Sequence, residues 1–285
     1  MRGWMNEGKS YIPPVELGAI MRAGGAGRII ASSNEKYKIG EYVTGMFGIQ
    51  EYFIAHQGKG LNKVDTTLAP LQTYLNTLGM TGMSAYFCLL EVGQPKEGET
   101  VVVSGAAGAV GSIAGQIAKA KGCRVVGIAG GADKCKYLVD ELGFDAAIDY
   151  KAGNLRKELK AACPNGIDVY FDNVGGEILD TVLGLINLKA RIAICGAISQ
   201  YNSSTGVKGP ANYLSLLVNR ARMEGFVVLD WTPRFGEAAK EMAGLMKAGK
   251  LKSKETIAQG GVDKYLDTLM ILFEGDKIGK LLLKV

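Results

Sequence analysis

Residues 101–112 read Val-Val-Val-Ser-Gly-Ala-Ala-Gly-Ala-Val-Gly-Ser, and this stretch decides the fold. Val101–Val103 is an apolar, β-branched run of the kind that forms a strand buried on both faces. The run is followed by Gly105, Gly108 and Gly111, where the backbone can approach a ligand because no Cβ stands in the way. The stretch therefore predicts a buried strand that ends in a tight turn.

A helix is predicted to begin on this turn. Apolar residues recur beyond it at helical spacing, at Val110, Ile113, Ala114, Ile117 and Ala118. The free N–H groups at the start of a helix and the positive end of its dipole favour an anion, and the pyrophosphate of a dinucleotide is the usual occupant. Ala106 stands at the first glycine of the usual fingerprint, which gives A-x-G-x-x-G, and the placement between strand and helix makes this pattern specific.

The second strand, predicted at Arg124–Ala129, bears on the choice of dinucleotide. An enzyme that prefers NAD places Asp or Glu at the end of this strand, about 20 residues beyond the glycine loop, to bind the ribose 2′-hydroxyl. Here the strand ends in Gly130-Gly131-Ala132, and Lys134 follows, so a 2′-phosphate meets no repulsion and can find an opposing charge. This favours NADPH. The alternative is that Lys134 is an ordinary solvated lysine in the first turn of a helix, and Asp133 beside it argues mildly against an anion there.

Strand and helix alternate from about Gly98 to Gly249, which predicts an α/β fold with a doubly wound parallel sheet. Further strands are predicted at Asp145–Asp149, Ile167–Asn173, Arg191–Gly196 and Glu224–Leu229, and helices at Lys134–Leu142, Leu155–Ala162, Ile178–Ile186, Tyr213–Arg220 and Phe235–Lys247. Ligands of such a sheet bind outside the carboxyl ends of the strands. This rule selects one rim, composed of residues 104–108, 129–134, 149–150, 173–176 and 195–201.

The first 67 residues differ from this pattern, because short extended runs lie among turns that contain Gly and Pro. The runs are Gly27–Ala31, Tyr42–Gly45 and Tyr52–Ala55, and they predict a β-rich part. Helices at Leu68–Leu78 and Ser84–Leu90 then lead into the nucleotide domain, and Ile278–Val285 is predicted to be a strand without a βαβ partner that returns to the β-rich part. The predicted domains are 1–80 (β-rich), 81–250 (dinucleotide-binding) and a returning segment, 251–285.

Composition argues against several classes of protein. The net charge of +5 is modest and spread along the chain, so a nucleic-acid partner is not expected, and no apolar stretch reaches membrane-spanning length. The five cysteines lack C-x-x-C pairs and disulfide-framework spacing, which favours free thiols and a cytoplasmic protein. The single histidine, His56, supports neither a catalytic zinc site nor a Ser-His-Asp triad.

Six segments together resemble the zinc-free branch of the medium-chain dehydrogenase/reductase superfamily, and within it the leukotriene 12-hydroxydehydrogenase, prostaglandin reductase and curcumin reductase group. The resemblance runs along essentially the whole chain, and two segments, Gly93–Thr100 and Gly122–Gly127, are most similar to bacterial NADPH-dependent curcumin reductases. The other four are Gly79–Tyr86 at the nicotinamide, Ala106–Ser112 at the pyrophosphate, Asp172–Glu177 and Ile194–Asn202.

Three departures accompany the resemblance. Met1-Arg2-Gly3 resembles the interior of the family's first domain, which implies that several tens of N-terminal residues are absent and that this domain is incomplete. Thr81 replaces a proline of the family, and Lys277 stands where the family usually has an asparagine that touches the cofactor.

The resemblance implies a Rossmann sheet with a second, GroES-like β-rich domain, and NADPH-dependent reduction of a carbon–carbon double bond conjugated to a carbonyl. It implies a hydrophobic enone substrate, bound in a pocket that Met80, Tyr201 and Phe226 line. It also implies a homodimer, in which the apolar strand Gly225–Leu229 pairs with its counterpart in the second copy. Two other functions remain open, namely a quinone reductase and a catalytically weak NADPH-binding protein.

Tyr201 is the candidate catalytic residue, as a hydrogen-bond donor to the substrate oxygen, although a loop tyrosine can also merely pack or line the cleft. Tyr150 is expected at the adenosine-side ribose and Asn173 at the nicotinamide half, with strand-end capping as the alternative for both. No metal ligand is expected. The full set of cofactor-binding candidates is Met80, Ser84, Ala107, Gly108, Ala109, Val110, Gly131, Lys134, Tyr150, Asn173, Cys195, Ile198, Phe226, Val228 and Lys277.

Overall fold

A computed structural model describes residues 5, 10–202, 206–275 and 277–285, so Met1-Arg2-Gly3 lies outside the described residues. In chain order the strands are β1 (Gly25–Arg28), β2 (Tyr42–Gly45), β3 (Asn62–Val64), β4 (Thr100–Ser104), β5 (Arg124–Ala129), β6 (Ala146–Asp149), β7 (Ile167–Asp172), β8 (Ile186–Ile194), β9 (Arg222–Gly225), β10 (Glu255–Gln259) and β11 (Lys280–Lys284). The α-helices are α1 (Met80–Phe87), α2 (Ala109–Ala120), α3 (Ala132–Lys136), α4 (Leu155–Ala162), α5 (Gly176–Leu183), α6 (Leu214–Val218), α7 (Phe235–Lys247) and α8 (Tyr265–Glu274).

Contacts divide the chain into two units. One comprises Met80–Lys254, and the other comprises Met1–Gly79 with Glu255–Val285. Among the described residues, no helix combines the length and the apolar character that crossing a bilayer requires.

The larger unit holds one parallel sheet of six strands, in the order β6-β5-β4-β7-β8-β9. The chain runs outward from β4 to β5 and β6, and then returns to build β7, β8 and β9 on the other side. This order confirms the doubly wound sheet predicted from the alternating pattern. It also places the switch point of the topology between the carboxyl ends of β4 and β7, where ligands of such sheets bind.

The middle of the sheet is covered on both faces, since the central strands β4, β5 and β7 are buried along almost their whole length. Val101, Val102 and Val103 are all completely buried. One face packs Val102 and its neighbours against the helices that contribute Leu159 and Val182. Burial of this kind contributes about 1.5–3 kcal/mol for each large apolar side chain, so the central strands hold the rim in place.

The edge strand β9 differs from the prediction, because Glu224–Leu229 is not a continuous strand. Pairing with β8 ends at Gly225, apart from one further bond from the Phe226 N–H to the Ile194 carbonyl, and a 3-10 helix begins at Val228. The reason is tertiary, since Trp231 stacks on Phe87 with ring centroids 5.4 Å apart and draws the chain off the sheet.

The smaller unit contains an antiparallel sheet of β1, β2 and β3. The prediction of a strand at Tyr52–Ala55 was wrong: β3 occupies the free edge of β2, pairing Val64 with Tyr42, while Phe53 packs on Phe47 at 5.0 Å. An extended run becomes a strand only where a partner edge is available.

The C-terminal strand also differs from the prediction. Strand β11 has a parallel partner, β10, with Ile257 opposite Leu282, and helix α8 connects the two. The predicted absence of a βαβ partner was therefore wrong, because the short run Glu255–Gln259 carries little periodicity of its own.

Candidate dinucleotide site

The glycine loop after β4 has a shape that only glycine allows. Gly105 has φ +57°, in the left-handed region that a side chain disfavours. Gly108 precedes α2 without a side-chain hydrogen bond to the helix end, so first-turn N–H groups can face a ligand. A Cβ on Gly111 would lie 2.5 Å from the Gly105 carbonyl oxygen, so the helix starts as close to the turn as backbone atoms permit.

Ala106 replaces the first glycine of the fingerprint without changing this turn. Its side chain is completely buried, and its N–H donates to the Ile128 carbonyl at 3.0 Å. Gly127 on the neighbouring strand makes room for it, since a Cβ there would lie 3.0 Å from the Ala106 Cβ.

The loop and helix fit the pyrophosphate of a dinucleotide. Uncapped N–H groups, a positive helix end and a backbone with no obstructing Cβ are what this anion requires. Ala107 is buried, whereas Gly108, Ala109 and Val110 are half-buried at the beginning of α2. These four predicted residues are therefore together at the helix N-terminus.

The turn after β5 is organised by a side chain from the next strand. Gly131 has φ +100° with open space around its Cα, and its N–H donates to Asp149 Oδ1 at 2.8 Å. The same oxygen accepts from the Lys151 N–H at 3.0 Å. These two N–H donors hold the pKa of Asp149 below its usual value. This carboxylate oxygen therefore binds backbone N–H groups on both sides of the site, at Gly131 and Lys151.

Two lysines border this turn. Lys134 lies in α3, one helical turn beyond Gly131, and Lys151 follows Tyr150 at the end of β6. A Cβ on Gly130 would lie 2.9 Å from the Tyr150 ring and 3.0 Å from Lys151 Cε, so both side chains pass over this glycine. The end of β5 thus combines an open glycine turn with cationic side chains.

At the switch point, the ends of β4 and β7 are joined by side chains. Ser104 Oγ donates to Asp172 Oδ1 at 2.9 Å and accepts from the Asn173 N–H at 2.9 Å. Asn173 Nδ2 donates to the Ser104 carbonyl at 2.7 Å. Strand-end capping is therefore a demonstrated role of the Asn173 side chain.

Tyr201 lies next to Asn173, because Gly196 permits a close approach. The Tyr201 hydroxyl accepts from the Ala197 N–H at 3.2 Å, and a Cβ on Gly196 would lie 3.0 Å from that hydroxyl and 3.3 Å from the Asn173 carbonyl oxygen. Since the N–H occupies an acceptor position, the phenolic proton stays available to an outside acceptor. Tyr201 is 47% exposed, as a group that meets a ligand must be.

The remaining candidates occupy several elements. Met80 begins α1 and is 49% exposed, and Ser84 Oγ in that helix donates to the Met80 carbonyl at 2.8 Å. The Cys195 thiol contacts Cys88, and this contact together with burial raises the pKa of Cys88. Ile198 begins the 3-10 helix that precedes Tyr201. Phe226 and Val228 come directly after β9. Lys277 lies in the smaller unit, between α8 and β11.

The strand-end rule placed Ser104 and Asp149 on the rim, but it did not select Lys151 or Asp172. Asp172 ends β7 and Lys151 lies two residues beyond the end of β6, so a slightly wider reading of the same rule would have included both. What the sequence could not indicate is that Asp149 and Asp172 point at backbone N–H groups. Among the described residues, no group of three or more His, Cys, Asp and Glu has the arrangement of a metal site.

Comparisons with known proteins agree with this geometry. Residues 109–244 match the family model described as zinc-binding dehydrogenase, and residues 1–64 match the N-terminal domain of oxidoreductase. The solved structure of CurA in complex with NADPH from Vibrio vulnificus aligns with TM-score 0.93 and 42% identity, covering 100% of this chain and 85% of that one.

Three relatives align along most of their length. YfmJ of Bacillus subtilis (strain 168) is 50% identical over 288 residues, covering 100% of this chain and 84% of that protein. The NADPH-dependent curcumin reductase of Escherichia coli (strain K12) is 41% identical over 290 residues, with the same coverage of 100% and 84%. The NADP(+)-dependent 2-alkenal reductase of Nicotiana tabacum is 42% identical over 272 residues, covering 95% and 79%. With the glycine loop and the parallel sheet, these matches show that the chain belongs to the medium-chain dehydrogenase/reductase superfamily and is an NADP-dependent oxidoreductase.

Proposed function

We propose that the protein reduces the carbon–carbon double bond of hydrophobic α,β-unsaturated carbonyl compounds with NADPH. The observation that carries the proposal is the Tyr201 hydroxyl, held beside Asn173 at the switch point with its proton available. The names of the curcumin and 2-alkenal reductases support the substrate class, since curcumin and 2-alkenals both contain a conjugated double bond.

The role proposed for Tyr201 follows from where charge develops. As a hydride arrives at the β-carbon, negative charge gathers on the carbonyl oxygen and the substrate becomes an enolate. A phenol that donates to that oxygen binds the enolate more strongly than the neutral enone, and only such differential binding accelerates the chemical step. The Ala197 N–H fixes the phenol oxygen, so the donor is preorganised.

The other residues position the reactants. When bound, NADPH would supply the hydride from nicotinamide C4, and the α-carbon of the enolate would take its proton from solvent, so the substrate would gain two hydrogens overall. The uncapped start of α2 would hold the pyrophosphate, and Asn173, fixed to the Ser104 carbonyl, would border the nicotinamide half. Met80, Ile198 and Tyr201 expose apolar surface in this unit and suit a bulky hydrophobic substrate.

Selection of NADPH over NADH is assigned to the turn after β5. A 2′-phosphate carries nearly two negative charges and binds best where cations are near and carboxylates are absent or occupied. Lys134 and Lys151 supply the cations, and Asp149 is occupied by the Gly131 and Lys151 N–H groups.

We further propose a cytoplasmic homodimer that needs no metal. Edge strand β9 is exposed along its length, and α6 exposes Leu214, Leu217 and Val218 at 57%, 74% and 71%. A free edge beside apolar side chains favours pairing with a second copy. All five cysteines are free thiols, which suits a reducing compartment.

The test is a screen of the purified protein for NADPH oxidation with curcumin, 2-alkenals, quinones and saturated aldehydes. NADPH deuterated at nicotinamide C4 should deliver the label to the β-carbon of the enone, as read by mass spectrometry and NMR. Faster turnover of quinones than of enones, or no turnover with cofactor still bound, would defeat the proposal.

A further inference from the structure

Asp172 is a buried carboxylate at the switch point, and its hydrogen bonds fall on one oxygen. Its side chain is completely buried, and Oδ1 accepts from Ser104 Oγ at 2.9 Å and from the Tyr170 hydroxyl at 2.8 Å. The same oxygen accepts from the N–H groups of Val174 and Gly175, each at 2.9 Å. Oδ2 is also buried and has no hydrogen-bond partner among the described residues.

These bonds hold a loop that would otherwise be mobile. Gly175 and Gly176 have φ of +71° and +59°, and consecutive glycines lose more conformational entropy on ordering than other residues. The hydrogen bonds from Val174 and Gly175 to a charged acceptor offset part of that cost. The position of residues 173–176 therefore depends on the Asp172 carboxylate.

The loop that carries Tyr201, residues 195–201, is held by hydrogen bonds to residues 172–174. Cys195 and Gly196 donate their N–H groups to the Asp172 backbone carbonyl at 2.9 and 3.0 Å. Ile198 donates to the Asn173 carbonyl at 3.1 Å, and the Ser199 hydroxyl donates to the Val174 carbonyl at 2.6 Å. A displacement of residues 173–174 is therefore passed on to the 3-10 turn before Tyr201.

We propose that Asp172 is a positioning residue for the nicotinamide half of the site, acting through the loops that carry Asn173 and Tyr201. It contacts neither proposed reactant and instead fixes the backbone of both loops against β4. This inference depends on the proposed function only in its kinetic part. Its binding part concerns NADPH alone, so it can be tested whether or not an enone is reduced.

The test compares two ligands that share the adenosine half. NADPH reaches both halves of the site, whereas adenosine 2′,5′-bisphosphate occupies only the adenosine half. In Asp172→Ala we expect the Kd of NADPH to rise roughly ten-fold, the equivalent of about one hydrogen bond, while the Kd of the bisphosphate stays within about two-fold. Asp172→Asn keeps an acceptor oxygen for all four donors, and we expect it to restore most of the NADPH affinity.

Tyr170→Phe is the matched control, since it removes a bond to the same oxygen. Tyr170 lies in β7 and anchors neither loop, so its loss should lower stability and leave both Kd values within about two-fold. With curcumin, Asp172→Ala should lower kcat more than it raises KM, and Asp172→Asn should recover most of the lost kcat.

Hydrogen exchange gives a readout without any ligand. In Asp172→Ala, the amides of residues 173–176 and 195–201 should exchange faster, while those of β4 stay protected and Asp172→Asn stays close to the parent protein. If Asp172→Ala does not fold, Ser104→Ala removes the link to Asn173 and should weaken NADPH binding in the same selective way. Equal weakening of both ligands, or the same pattern in Tyr170→Phe, would overturn the proposal.

Discussion

The Tyr201 hydroxyl is both fixed and available, since it accepts from Ala197 and retains its own proton. Tyr201→Phe keeps the ring and removes only the hydroxyl, so we expect turnover of an enone to fall by an amount equivalent to ~2.7–4 kcal/mol of transition-state stabilisation. NADPH affinity should stay within about two-fold, because the hydroxyl is assigned to the substrate.

Steady-state kinetics and a binding titration measure these two quantities. Tyr11→Phe is the control, because Tyr11 is 66% exposed and lies in the smaller unit. An unchanged kcat with a raised KM would contradict this role, and would show that Tyr201 lines the substrate pocket without donating a hydrogen bond in the transition state.

Lys134 and Lys151 border the turn where the 2′-phosphate is proposed to bind. Each contact of this kind is worth about 1.5–3 kcal/mol, so Lys134→Ala and Lys151→Ala should each weaken NADPH binding roughly ten- to hundred-fold and leave NADH binding almost unchanged.

Lys157→Ala controls for the general loss of positive charge, since Lys157 lies exposed on α4. The two cofactors are titrated at the same salt concentration, because phosphate contacts are screened. If a lysine variant loses affinity for NADPH and NADH equally, the 2′-phosphate does not bind at this turn.

At the scale of the element, the start of α2 depends on the absence of a side chain at Gly111. In Gly111→Ala the new Cβ would meet the Gly105 oxygen at 2.5 Å and the Ala106 Cα at 2.9 Å, so the loop or the helix must shift. We expect a lower melting temperature and weaker binding of NADPH, because the N–H groups that face the pyrophosphate move with the helix.

The control for this element is the same substitution in helix α7. Gly244 is exposed, with nothing within 4 Å of a new Cβ, so Gly244→Ala should raise the free energy of unfolding by about 0.5–1 kcal/mol through helix propensity. Thermal unfolding distinguishes the two variants, and a Gly111→Ala protein as stable as its parent would contradict the steric argument.

At the scale of the whole molecule, the exposed helix α6 and edge strand β9 predict self-association. A single Leu217→Glu change places a charge among apolar side chains and should convert a dimer into a monomer at micromolar concentration, since burying an unpaired charge is costly. Light scattering measures the mass. A parent protein that is already monomeric would exclude the proposed homodimer.

The single histidine, His56, is exposed at the start of a 3-10 turn in the smaller unit. We therefore expect enone reduction to continue in the presence of a chelator, and elemental analysis to find no stoichiometric zinc. Loss of activity that returns on adding zinc would refute the zinc-free assignment.

Local features were enough to predict the parallel sheet of the larger unit. The run Val101–Val103, the three glycines and the apolar spacing of α2 lie within 20 consecutive residues, and their meaning depends on sterics and periodicity alone. Helices α4 and α7 begin and end where their amphipathic spacing indicates. The order of elements was therefore sufficient to predict a parallel, doubly wound sheet.

Only the tertiary structure decided which distant residues meet. Ser104 and Asp172 are 68 positions apart, and nothing in either segment indicates that one carboxylate oxygen would bind four donors. Asp149 reaches Gly131 across a strand pair, β11 finds its partner in β10, and Trp231 ends the edge strand by stacking on Phe87. Periodicity reports which face of an element is buried, whereas the identity of the partner depends on strand order and on the direction of individual side chains, which the chain acquires only by folding.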